Sequence, residues 1–126
     1  MTENEIAKIV FDLGLNVHKI LGPGLLESSY EECLYYEISK YGLRVEKQKA
    51  LPLIYEEVKL EIGYRIDLLV ENKVIVEIKA VEALNDIHLA QILTYLKLSG
   101  CKLGLLINFN NVLFKNGVKR VINGIL

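Results

Sequence analysis

The sequence has little with which to bind a soft metal or to cross-link itself. Its two cysteines, Cys33 and Cys101, lie far apart without a CxxC spacing. Neither a zinc site nor a disulfide framework is therefore expected, and both read as small buried hydrophobes. No second histidine stands near His18, which reads as a surface residue. An excess of basic charge is also missing: 15 Lys and Arg against 16 Asp and Glu leave a net charge of −1. That excludes a general nucleic-acid coat protein, because nonspecific phosphate binding shows as a basic excess, and it requires any polyanion site to be local. No apolar stretch approaches the ~18 uninterrupted residues of a membrane span. The opening "MTENEIAKIV" is acidic and has no apolar h-region, so no membrane association and a cytoplasmic location are expected. There are no repeats, linkers or low-complexity segments.

What is present is a chain of 126 residues, 52% hydrophobic and 25% charged, the make-up of one globular domain over residues 1–126. Thr2 with Glu5 has capping-box spacing and opens a helix whose core face is Ile6, Ile9, Val10, Leu13, Val17, Ile20 and Leu21. Gly22-Pro23-Gly24 breaks it. A second helix is predicted from about Leu25 to Tyr41, with Leu26, Tyr30, Cys33, Leu34 and Ile38 inward and Gly42 as its stop. "LRVEKQKALPLIYEE", "VKLEIGYRIDLLV" and "KVIVEIKA" then read as a three-stranded antiparallel meander. Asn85 caps a third helix with Leu89, Ile92, Leu93 and Leu96 buried and Gly100 at its end. "KLGLLINF" is a strand covered on both faces, and the tail is a final strand or hairpin turning at Asn116-Gly117. The order ααβββαβ(β) implies an α/β sandwich, a mixed sheet with helices on both faces.

Three charges interrupt the hairpin "YRIDLLVENKVIVEIKA": Asp67, Glu77 and Lys79. Side chains alternate along a strand, so Ile75, Glu77 and Lys79 share one face. Asp67 falls with Arg65 and Leu69, opposite Ile66, Leu68 and Val70. If Glu71-Asn72-Lys73 is the loop, residue 70 pairs with 74 and Asp67 with Glu77. Like charges directly opposite are destabilising, so Lys79 or a divalent cation should compensate them. Magnesium prefers carboxylate and water oxygens. A carboxylate pair beside a lysine is thus the minimum set for metal-assisted phosphodiester hydrolysis, although a salt-bridged structural sheet face gives the same pattern. Tyr30 reads as a core aromatic with its hydroxyl satisfied. His88, Gln91 and Tyr95 form a polar stripe facing either the site or water. Two basic clusters, Arg44 with Lys47 and Lys49, and Lys115 with Lys119 and Arg120, are each placed to track a phosphate backbone or to sit as ordinary surface charges.

Asp67, then nine residues, then Glu77-Ile78-Lys79 resembles the D…(E)xK signature of the PD-(D/E)xK nuclease superfamily. "GLLESSY", Gly24 to Tyr30, resembles the GxxExxY motif of a family of small proteins within it, and "GLLINF" with "VKRVIN" is similar to that family's C-terminal half. One departure is Ile66, which stands where the superfamily's name has proline. The resemblance implies a restriction-endonuclease-like three-layer sandwich. It also implies a nuclease that uses Mg2+, or Mn2+, on nucleic acid, with DNA the expected substrate, a 5′-phosphate product and a homodimer as the common assembly. Glu27 becomes the acid of the first core helix, Asp67 and Glu77 with Glu27 the metal-holding carboxylates, Lys79 the catalytic lysine, and Gln91 the glutamine on the helix after the ExK strand. Two rival readings keep the fold without turnover: a silent nucleic-acid-binding module and a protein-interaction domain.

Overall fold

The computed structural model describes residues 1–126. Helix α1 (Glu3–Leu21) opens with the expected capping box, the Glu5 N–H donating to Thr2 Oγ1 at 3.2 Å and the Thr2 N–H to Glu5 Oε1 at 2.8 Å. Its buried stripe is Ile6, Ala7, Val10, Gly14, Val17 and His18. Two expectations fail here. Ile20 falls off the stripe and is 71% exposed, while His18 is buried. The imidazole escapes the cost of burying a polar group because Nε2 lies 2.8 Å from the Asn111 carbonyl oxygen, with the ring against Phe109 and Phe114.

Gly22 and Gly24 turn the chain with φ of 69° and 100°, values that favour glycine. Helix α2 (Glu27–Tyr41) begins later than the sequence predicts, so Leu26 is its N-cap and 75% exposed, not inward. Tyr30, Leu34 and Ile38 are its buried residues. Tyr30 is the expected satisfied core aromatic: its hydroxyl donates to the Gly22 carbonyl at 2.6 Å and accepts from the Leu25 N–H at 3.1 Å. Its ring stacks on Phe109 at 4.5 Å. One side chain thus fixes both the loop before α2 and the start of the helix.

The meander is present with an insertion. Strands β1 (Val45–Ala50), β4 (Arg65–Val70) and β5 (Val74–Lys79) pair antiparallel in that order. Between β1 and β4, Pro52 breaks the first extended segment, and β2 (Leu53–Tyr55) with β3 (Val58–Leu60) forms a separate two-stranded hairpin. Helix α3 (Asp86–Ser99) crosses over to β6 (Leu103–Asn108), which runs parallel to β5, and β7 (Val118–Ile122) adds antiparallel to β6. The result is a five-stranded mixed sheet in the order β1-β4-β5-β6-β7. The tail strand is as expected. However, Asn116 and Gly117 lie in a 3-10 turn (Phe114–Gly117), because Phe114 is drawn into the core against Phe11 and Phe109.

Helices α1 and α2 cover one face over Leu68, Val70, Val74, Val76 and Ile78; α3 covers the other over Leu69, Ile75 and Leu106. This is the three-layer, restriction-endonuclease-like sandwich. Every residue of β6 is buried, as its continuous apolar run requires. On α3 the buried residues are Ile92, Tyr95 and Leu96, whereas Leu89 in its first half is 36% exposed. No helix is long and apolar enough to cross a membrane.

Because Tyr30 joins two backbone groups across the α1–α2 turn, Tyr30→Phe should lower stability by about 1–2 kcal/mol, the scale of one or two lost hydrogen bonds. Denaturant melts check this, and an unchanged midpoint would mean the turn holds without the hydroxyl.

Candidate active site

The β4–β5 turn passes through Glu71 and Asn72, both left-handed with φ of 52° and 57°, and sets the register Val70↔Val74, Leu69↔Ile75 and Leu68↔Val76. Continued by one step, this register places Asp67 opposite Glu77. At that step side chains replace the backbone ladder. The Asp67 N–H donates to Glu77 Oε2 at 2.8 Å, and the Ile78 N–H donates to Asp67 Oδ2 at 2.8 Å. Each carboxylate therefore holds the other strand.

The alternation expected along β4 is broken at the same place. Ile66 packs with Leu69 and Ile75 under α3, not with Leu68 and Val70 under α1 and α2. On the neighbouring strand, pairing runs Lys47↔Leu68 and Lys49↔Ile66 and omits the pair between them, where Gln48 has φ 54°. A strand residue in that conformation is strained, and such strain collects at functional sites. The Gln48 amide makes use of it: Nε2 donates to Glu31 Oε1 at 2.7 Å and to Asp67 Oδ1 at 3.3 Å.

Other predicted residues gather around this pair. Lys79 Nζ meets Gln91 Oε1 at 3.4 Å, and the Gln91 amide donates to the Tyr95 hydroxyl at 3.3 Å. Of the polar stripe on α3, Gln91 and Tyr95 thus turn inward, while His88 serves as part of the Asn85 cap. Glu27, in the first turn of α2, accepts from the Ala80 N–H at 3.3 Å and so stands just beyond Lys79. Three His, Cys, Asp or Glu side chains do not converge closely enough to form a ready-made cage, and Glu27 is not drawn into one cluster with Asp67 and Glu77.

Sequence reasoning missed Glu31 and Gln48. Glu31 was findable, since it lies one helical turn from Glu27 on the same face of α2. For Gln48 there was no signal, because nothing in "RVEKQKA" announces a left-handed residue inside a strand.

The electrostatics are unfavourable for three acids at once. Glu77 is 3% exposed, and burial, followed by the charge of Asp67, pushes its pKa up from 4.5 to about 8. Burial also raises Asp67, against the Ile78 N–H and Lys79, which favour its ionised form. Glu31 is raised to about 7 by burial and by Asp67. Lys79 forms no salt bridge with any of them; its partner is the neutral Gln91. A face built to balance charge would pair the lysine with the acids. What stands here is a group of buried and half-buried acids with raised pKa values and no cation in contact.

This donor set fits a magnesium-sized ion. Such an ion takes one or two protein carboxylates, keeps several waters and accepts substrate phosphate oxygens, so it needs no third protein ligand. Glu77 commits only Oε2 to the backbone.

The family model of the PD-(D/E)XK nuclease superfamily matches residues 4–121. No curated protein and no solved structure matches the chain.

The raised carboxyl pKa values fix the sign of a pH effect. Between 4.5, the ordinary value for Glu77, and its folded value of about 8, the folded chain holds more protons than the unfolded one. Stability is then highest at the acid end and falls as pH rises, levelling off above the folded value. In chelator, the melting temperature should drop between pH 5.5 and pH 8.5. Glu77→Gln keeps an acceptor for the Asp67 N–H but cannot ionise, so it should flatten part of this slope and be more stable than the parent at pH 8.5. Parallel slopes for the two proteins would show that Glu77 is not the strained acid.

Proposed function

The chain belongs to the PD-(D/E)XK nuclease superfamily, and from that premise we propose that it is a magnesium-dependent nuclease hydrolysing phosphodiester bonds in DNA. One observation carries the reading: buried Glu77 and half-buried Asp67 stand side by side with raised pKa values, and the adjacent Lys79 is held by Gln91 and left unpaired by either acid. The motif Gly24–Tyr30 favours the GxxExxY group within the superfamily, and each of its three named residues has work to do. Gly24 makes the turn, Glu27 reaches the Ala80 N–H beside Lys79, and Tyr30 anchors the loop.

Asp67 and Glu77 are the residues that would hold Mg2+, or Mn2+ in its place. Bound there, the ion would offset the charge on the scissile phosphate and lower the pKa of water. The protein's own contribution begins with Lys79. Its ammonium, aimed by Gln91 Oε1, orients the attacking water and donates to the oxygen on which charge develops. Tyr95 keeps the Gln91 amide turned so that its oxygen, not its nitrogen, faces the lysine. Glu27 and the Gln48–Glu31 pair fix the backbone and carboxylate positions from the α2 side. Attack in line with the 3′ oxygen leaves a 5′-phosphate.

Two substitutions separate these roles. Asp67→Ala should abolish cleavage of a labelled DNA panel in magnesium and also remove the thermal stabilisation that magnesium gives the parent, about 2.7 kcal/mol at a hundredfold excess over Kd. Lys79→Ala should keep that stabilisation yet slow cleavage by about 10²–10³, the usual loss when one donor to a transition-state oxyanion is deleted. If Lys79→Ala lost both together, the lysine would be organising the pocket and not acting on the reaction.

A further inference from the structure

Neither basic cluster of the sequence supplies the acid pair with a broad positive surface. Lys47 pairs with Glu32 at 2.6 Å, and Lys49 and Arg44 both pair with Glu46, at 3.1 and 3.6 Å. That cluster, on the β1 edge, is neutralised by the protein itself. Lys115, Lys119 and Arg120 have no carboxylate partner, but they belong to β7 and the turn before it. Between β7 and β5 stands β6, buried along its whole length. Near the acids, two cations remain without a carboxylate partner: Lys79, and exposed Arg65, which donates to the Gln48 carbonyl at 3.1 Å. Base stacking on aromatic rings, which needs no charge, is the other means by which proteins hold a nucleic acid strand.

An exposed ring stands where stacking would serve. Gly63, with φ of 104°, turns the chain out of the β2–β3 hairpin, and the next residue, Tyr64, is pinned by its backbone, its carbonyl accepting from the Leu51 N–H at 2.9 Å. Its side chain remains 41% exposed. Two residues before Ile66, Tyr64 continues that residue's face towards α3, and its ring centroid lies 6.3 Å from that of Tyr95 at 58°, within the range of an aromatic pair. Contacts run on from there to the site: Tyr95 accepts from the Gln91 amide, and Gln91 Oε1 holds Lys79. Burial, and then the charge of Glu77, raises the pKa of the Tyr95 hydroxyl, so that acid too is within electrostatic reach. Gln91 and Tyr95 are about one turn of α3 apart, about 5.4 Å, against about 3.4 Å of rise per nucleotide of a strand. The distance is on the scale of the nucleotides next to the cleaved bond.

We propose that Tyr64 is a base-stacking platform beside the active site, receiving the face of an unpaired base within a few nucleotides of the scissile phosphate. The substrate class is thereby DNA with unpaired bases next to the cleaved bond, in a single strand, a flap or a frayed end, because inside a duplex the face of each base is covered by its neighbours. This rests on the nuclease reading above and adds what the site selects. Every base has a π-face, so the platform holds a strand without reading its sequence. It also accounts for how a chain of net charge −1 holds a polyanion, since the grip on the bases makes up for the few free cations.

The test moves one abasic residue through the nucleotides on either side of the scissile bond of a labelled single-stranded DNA and reads kcat/KM in magnesium, with the fully paired duplex run beside it. The parent should prefer the single strand and, at a position next to the cleaved bond, lose about 5- to 150-fold when the base is absent, the range for one base stacked on an aromatic side chain. Tyr64→Ala should be slower by a similar factor on the intact strand and indifferent to the missing base. Tyr64→Leu keeps an apolar contact with Tyr95 but has no aromatic face, and should behave like Tyr64→Ala; Tyr64→Phe keeps the ring and should match the parent. A residue that only props Tyr95 would give a different pattern, an equal loss on intact and abasic strands. That pattern, a parent indifferent to every abasic position, or a parent that cleaves the paired duplex as fast as the single strand would overturn the platform and leave the nuclease reading standing. A parent that cleaves none of these DNAs would overturn both.

Discussion

Two carboxylates, one buried and one half-buried, meet on neighbouring strands at the point where those strands stop bonding through their backbones. The rest of the site depends on this. By accepting the Asp67 and Ile78 N–H groups, the acids replace ladder hydrogen bonds that the sheet would otherwise need, so neither can leave without orphaning a backbone donor. The same geometry keeps them close in a region of low dielectric, where two ionised carboxylates repel. Structure and strain are supplied by one arrangement: the hydrogen bonds hold the acids in place, and their proximity favours either a proton or a cation between them.

The surrounding elements maintain that arrangement from three directions. Gln48, in its left-handed conformation on β1, ties Asp67 to Glu31 of α2. Tyr30 fixes the turn that delivers Glu27 to the Ala80 N–H. From the opposite face, Tyr95 packs among Ile75, Ile92 and Leu96 and hands its hydroxyl to Gln91, which steadies Lys79. Both helical layers therefore reach the site through residues that are also part of the packing, which is how a chain this short can hold a polar centre within a continuous apolar core.

Much of this was legible in the sequence because period and caps speak locally. The Thr2 and Asn85 caps, the Gly42 and Gly100 stops and the apolar run of β6 are each written within a few residues. The Asp67–Glu77 juxtaposition followed from the length of one turn. What escaped needed contacts between distant segments. His18 is buried because Asn111, far along the chain, offers its carbonyl. Ile66 changes face next to Asp67, where a side-chain bond from the distant Ile78 N–H stands in for the ladder. Which basic cluster stays free was likewise hidden, since Glu32 and Glu46 reach their lysines only after folding.

The central claim is that the strained acid pair is a cation site, and proton counting addresses it most directly. With Glu77 raised to about 8, the pair carries a proton at neutral pH that a divalent ion must displace. Calorimetric titration of magnesium at pH 7 in buffers of different ionisation enthalpy should show release of about one proton per ion bound, declining towards none near pH 9.5. The double variant Asp67→Asn/Glu77→Gln should take up no magnesium at either pH. Magnesium binding without proton release at pH 7, or equal binding by the double variant, would contradict the account.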